Sequence, residues 1–138
     1  MATLTMEAGS REITLRYTVG VIVEAEEAYG SMDRLLNAMR GDEKPDTAAL
    51  DLIAFMANAH EKHEKRKPIY TRSWLRDNLT PKQLEEAKIM TQYAIMVGMR
   101  RDVNEDEDIP IDDVLKEIEE ENKKKLARTA KADQLPGE

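Results

Sequence analysis

The sequence predicts a mainly α protein: a compact helical domain led by a short N-terminal β-hairpin and followed by a charged C-terminal helix or tail. Three observations predict it. Only the first seventeen residues alternate apolar and polar types at the two-residue period of a strand, with β-branched residues among them. From Thr18 to Arg101 apolar residues recur at three- and four-residue steps, punctuated by capping residues, glycines and prolines. After Arg101 apolar residues thin out and charge dominates, which divides the chain into a domain over residues 1–101 and a partly disordered charged segment over 102–138.

Thr3-Leu4-Thr5-Met6 and Ile13-Thr14-Leu15-Arg16-Tyr17 read as two strands, joined by a turn at Glu7-Ala8-Gly9-Ser10. A hairpin alone is marginal in water, so this one must lie on the helices or pair with another chain. Thr18 caps a first helix whose Val19, Ile22, Val23, Glu26 and Tyr29 follow at helical steps, and Gly30 falls where a left-handed C-terminal cap belongs. Ser31 caps a second helix, Met32 to Met39, with Leu35, Leu36 and Met39 as its stripe and Gly41 as its end. Asp42-Glu43-Lys44-Pro45 reads as a loop, after which Asp46 and Thr47 open a third helix. Ala49, Leu50, Ile53, Ala54 and Ala57 line one face of it, widened by Leu52, Phe55, Met56 and Ala59, so it is expected to be covered on more than one side. Its cationic end, Lys62 to Lys67, complements the helix dipole, and Pro68 stops it.

A short segment carrying Tyr70, Trp74, Leu75 and Leu79 leads to the clearest helix start in the chain. Thr80-Pro81-Lys82-Gln83 combines a capping threonine, a proline at the first helical position and a glutamine three residues after the cap. The helix that follows, to Arg101, carries Leu84, Ala87, Met90, Ala94 and Val97 on one face, with Ile89, Tyr93 and Met96 beside it. Asp102 to Asp108 is acidic and polar, and Pro110 marks a break. Ile111 to Lys131 forms a charged helix with acids early and bases late, the order its dipole favours. Its apolar set is thin (Ile111, Val114, Leu115, Ile118, Leu126), and Ala132 to Glu138 should be disordered.

At 138 residues the chain suits one compact core. A net charge of −7 argues against non-specific binding to nucleic acid or an anionic membrane, since like charges repel. The absence of cysteine removes disulfides, thiolate nucleophiles and Cys-based metal sites. The N-terminus lacks a secretory pattern and no apolar run approaches the ~20 residues of a membrane span, so the expected compartment is the cytosol.

One stretch invites a metal reading, His60-Glu61-Lys62-His63-Glu64. A zinc-protease helix needs histidines four apart with the glutamate next to the first, whereas these histidines are three apart, and the Glu-x-x-His of di-iron bundles needs a second copy. The stretch therefore reads as a solvated, mixed-charge helix end. The six glycines are dispersed rather than gathered in a phosphate loop, and Ser10, Ser31 and Ser73 lack a nucleophile elbow. No cofactor, metal or catalytic residue is expected.

Other features favour binding to a protein. Of eight methionines, Met56 and Met90 read as core filler, whereas Met96 and Met99 stand near the end of the last central helix. Flexible, polarizable methionines there suit an adaptable apolar surface. Trp74, the only tryptophan, reads as core or as an interface anchor. The charged helix buries too little to stand alone, so it either frays or docks Leu115 and Ile118 on a partner or a second copy of the chain. The partner-binding candidates are thus Trp74, Met96, Met99, Leu115 and Ile118.

The strand Leu15-Arg16-Tyr17, the helix ending in Glu26-Glu27-Ala28-Tyr29-Gly30-Ser31 and the paired Leu35-Leu36 together resemble the opening of the tail assembly chaperones of long-tailed bacteriophages and prophages. The apolar helix at Asp46–His60, the Leu79-Thr80-Pro81 turn and the helix to Arg101 continue the resemblance, which covers about residues 11 to 101. It implies a helical cytoplasmic protein without catalytic residues. Such a chaperone binds the tape measure protein and tail tube subunits during tail morphogenesis and is absent from the mature virion. Many members are also made in a longer, frameshifted form, for which an A-rich run encoding Lys123-Lys124-Lys125 is a candidate site. The alternative from another class is a small helical regulatory protein that binds DNA through local basic clusters such as Arg100-Arg101 and Lys62–Lys67.

Overall fold

The N-terminal strands pair as their alternation predicts. In the computed structural model, which describes residues 3–99 and 108–134, β1 (Thr3–Ala8) and β2 (Arg11–Leu15) form an antiparallel hairpin with Leu4 opposite Leu15 and Met6 opposite Ile13. Leu4, Met6, Ala8, Ile13 and Leu15 are buried on one face, as a two-residue period requires. The turn is tighter than expected, because Glu7 and Ala8 extend the first strand. It closes at Gly9, whose φ of +66° is the left-handed region. A Cβ there would also meet the Asn78 carbonyl oxygen at 2.8 Å.

A third strand was not foreseen. β3 (Asp108–Pro110) adds to β1 in parallel, Leu4 opposite Ile109, so that β1 is central in the order β2-β1-β3. Three residues ending in proline carry no readable period, and proline is tolerated here because it lies on an edge strand.

Helices α1 (Val19–Tyr29) and α2 (Met32–Arg40) begin where predicted, with Thr18 accepting from the Val21 N–H and Ser31 from the Arg34 N–H. Gly30, at φ 93°, ends α1 in the left-handed cap. The face α1 buries differs from the predicted stripe: Val21 and Ala25 are buried, while Val19 and Val23 are exposed. The run Val19-Gly20-Val21-Ile22-Val23 is apolar around most of a turn, so spacing alone does not select a face.

α3 (Pro45–His63) is the central helix, packed by β2, α1, α2 and the two helices that follow it. Its buried residues include Ala48 through Ala54 without a break, which explains the broad apolar stripe. It starts at Pro45, preceded by Lys44 in a left-handed conformation and without a side-chain capping bond, so the predicted loop is shorter. It also stops four residues before Lys67, because Lys65 turns back at φ 59° and the Arg66 N–H reaches the Glu61 carbonyl at 2.8 Å. A short helix, α4 (Arg72–Asn78), went unpredicted although Thr71 caps it by accepting from the Trp74 N–H. Two turns are too few to show a period.

α5 (Pro81–Gly98) carries the full capping box at Thr80 and Gln83. Gln83 does more than cap: its side chain also accepts from the Gly9 N–H at 2.8 Å and donates to the Gly9 carbonyl at 3.1 Å. One residue thus starts α5 and clamps the hairpin turn upon it. α6 (Ile111–Gln134) continues through Ala132, where disorder was expected; residues 135–138 lie outside the described residues. The acidic run 102–107 and the Arg100-Arg101 cluster lie outside them too. Val114 is fully buried in the same core as Leu52, Met56 and Met90. Among the described residues no helix is long and apolar enough to cross a membrane.

Candidate protein-binding surface

Two apolar features reach the surface at one corner. Tyr17, just before α1, lies against Gly98 at the end of α5, where an added Cβ would come within 3.0 Å of the Tyr17 ring. That contact sets the start of α1 beside the end of α5. Val19, the first residue of α1, and Met99, which follows Gly98, are 74% and 73% exposed. Val23, one turn along α1 from Val19, is exposed as well. Met99 is the cap residue of α5, so its side chain is held at a helix end rather than within a packed face.

The second feature is the groove between α5 and α6. The two helices run side by side in the same direction. Near their starts Gln83 and Glu86 face Ile111 and Asp112 across a cleft, and farther along the Tyr93 hydroxyl donates to Glu117 Oε2 at 2.7 Å. Beyond that bond Met96, Ile118 and Glu121 line, with Tyr93 and Glu117, an open groove of about 160 Å³. Its floor is apolar and its α6 rim is acidic.

Behind these surfaces, polar groups tie the helices together. Asp51 is a buried acid within the apolar run of α3. It accepts from the Tyr29 hydroxyl at 2.6 Å and from Arg72 Nε and Nη2 at 2.8 and 2.7 Å, joining α1, α3 and α4. Burial and then the bond to Asp51 push the Tyr29 phenol up to about 12. Sequence reading passed over Asp51; the signal was an acid in a segment where every neighbour from Ala48 to Ala57 is apolar.

The His60–Glu64 stretch is solvated at Lys62, His63 and Glu64, as expected, but not at its first two residues. Glu61 is buried and accepts from Arg66 Nε at 2.6 Å. His60 is half-buried, and burial followed by the nearby Arg16 charge lowers its pKa. Its Nδ1 and Arg16 Nε are both buried without a hydrogen-bond partner among the described residues. No group of three or more metal-ligating side chains converges among the described residues.

Of the five predicted partner-binding residues, Met96 and Ile118 meet in the α5–α6 groove and Met99 stands exposed at the adjoining helix end. Leu115 is half-buried on α6. Trp74 lies elsewhere, on α4, half-buried and packed edge-on against Tyr70 at 5.1 Å between ring centres. Val19 and Val23 were missed as surface residues because their spacing reads as core. Comparison of the chain with protein-family models, with curated proteins and with solved structures finds no match.

Proposed function

We propose that the protein is a tail assembly chaperone of a long-tailed bacteriophage or prophage. It acts in the bacterial cytoplasm by binding the tape measure protein and tail tube subunits, without catalysing a reaction, and is left out of the finished virion. The observation that carries the reading is the exposed apolar set Val19, Val23 and Met99, carried on the start of α1 and the end of α5, which the Tyr17–Gly98 contact brings near each other. The resemblance of residues 11 to 101 to such chaperones names the client.

The physical need is for cover. A long helical protein with exposed apolar stripes self-associates unless a soluble partner masks them. Methionine at a helix end adapts to varied apolar side chains, and the net charge of −7 keeps the complex dispersed.

The test is co-expression with the tape measure protein of the same tail gene cluster, followed by solubility and pull-down measurements. The wild-type chain should raise client solubility and co-purify with it, whereas V19E/M99E should do neither while melting as the wild type does. A client equally soluble with and without the chain, and no complex, refutes the proposal.

A further inference from the structure

We propose that Arg16 holds a small divalent oxyanion of the phosphate class where the end of β2 meets the C-terminal part of α3. The inference does not rest on the client reading.

Arg16 follows the last residue of β2, and its N–H donates to the Met56 carbonyl of α3 at 3.1 Å. That bond seats Arg16 against α3 one turn before His60, and His60 feels the guanidinium charge. Arg16 is 8% exposed, yet its guanidinium makes no hydrogen bond and no ion pair with any described residue. A desolvated charge without a counterion is costly, so buried arginines are ordinarily held by an anion. Two more exposed arginines of this chain follow that rule, Arg72 paired with Asp51 and Arg66 with Glu61. Arg16, more buried than either, has no such partner.

The neighbouring acid does not fill the role. Glu64, at the C-terminal cap of α3, is exposed; its charge reaches Arg16, but it makes no bond to it. Lys62 is paired with Glu24 and Arg66 with Glu61. That leaves three unpaired cations, Arg16, Lys65 and Lys67, against one acid, Glu64, in a chain whose overall charge is −7. A divalent oxyanion neutralises this excess, whereas a carboxylate neutralises half of it. The planar guanidinium also presents parallel N–H groups that match two oxygens of one phosphate. His60 Nδ1, buried without a partner too, is a donor in one tautomer of the neutral ring.

Calorimetric titration of the full chain with sulfate, inorganic phosphate and acetate tests this, in chloride buffer at constant ionic strength and about pH 8. Sulfate and phosphate should each bind saturably at one site, and acetate far more weakly. R16M keeps an unbranched apolar side chain without the charge. It should bind sulfate roughly tenfold or more weakly. Without sulfate it should melt no lower than wild type, because an unpaired buried charge has been replaced by an apolar group. E64Q changes an exposed residue and should bind sulfate roughly threefold more tightly, which keeps the test decisive even where R16M does not fold. Sulfate that binds no better than chloride, or that is indifferent to both substitutions, overturns the proposal. Acetate binding as tightly as sulfate overturns it in favour of a carboxylate. A duplex oligonucleotide that binds where sulfate does not overturns it in favour of a nucleic-acid backbone.

Discussion

Replacing Asp51 by asparagine isolates the tie that holds α1 and α4 to the central helix. Asparagine keeps the shape of the side chain but removes its charge and turns one acceptor into a donor facing donors. The bond from Tyr29, 2.6 Å long and to a charged acceptor, is worth about 1.5–3 kcal/mol. The Arg72 side chain is 56% exposed, so its pairing adds less than about 1 kcal/mol after solvent screening. Allowing for a partial replacement bond from the asparagine carbonyl, the loss should be about 2–3 kcal/mol. At roughly 3 °C per kcal/mol for a chain of this size, D51N should melt about 6–9 °C below wild type. A second readout separates this cause from general loosening. In wild type one tyrosine should titrate near 12 by phenolate absorbance, and Y29F should abolish that step. D51N should move the step down only part of the way to 10, because burial, the larger cause, persists. A D51N protein that melts within about 2 °C of wild type, with the high-pH step of Tyr29 unmoved, would refute the reasoning.

Two further outcomes follow from the same structure. V114A removes two methyl groups from a fully buried site where α6 meets the core, at ~0.8 kcal/mol for each plus a cavity term, so thermal unfolding should show a loss of about 2 kcal/mol; an unchanged melting temperature means that α6 is not packed on the core. His60 has a folded pKa below the ordinary histidine value of 6.5, so the unfolded chain takes up the proton first, and the stability from keeping the ring neutral is complete above that value and lost as pH falls through the folded pKa. Melting temperature should therefore decline from about pH 7 downward, before the carboxylates begin to titrate, and H60Q should flatten that decline; equal slopes in both proteins refute the assignment.

Local chemistry settled most of the architecture before any tertiary contact was considered. Thr18, Ser31 and the Thr80/Gln83 box bind backbone N–H groups within three residues of themselves, so their meaning is carried by the adjacent sequence. The hairpin register follows from the two-residue alternation of Leu4, Met6, Ile13 and Leu15. The composition change after Arg101 likewise marked α6 as a charged helix with few apolar positions. Met96 and Met99 were legible as exposed residues because apolar residues near a helix end lack neighbours enough to be buried, whereas Ile118 proves half-buried against the core.

The remainder was decided by parts of the chain far apart in sequence. β3 forms because β1 offers a free edge more than a hundred residues earlier, and Asp108–Pro110 has no pattern of its own to announce it. Gln83 reads as a cap alone until the turn at Gly9 is brought against it, and Asp51 reads as a blemish in a core helix until Tyr29 and Arg72 arrive. Val19 and Val23 changed sides for the same kind of reason: α1 is apolar around its first turn, and only packing through Val21 and Ala25 chose which face would be left to solvent. Period and caps specify what each segment becomes, because their interactions close within a few residues. Which surface stays open is set by which neighbours arrive, and that depends on the whole fold.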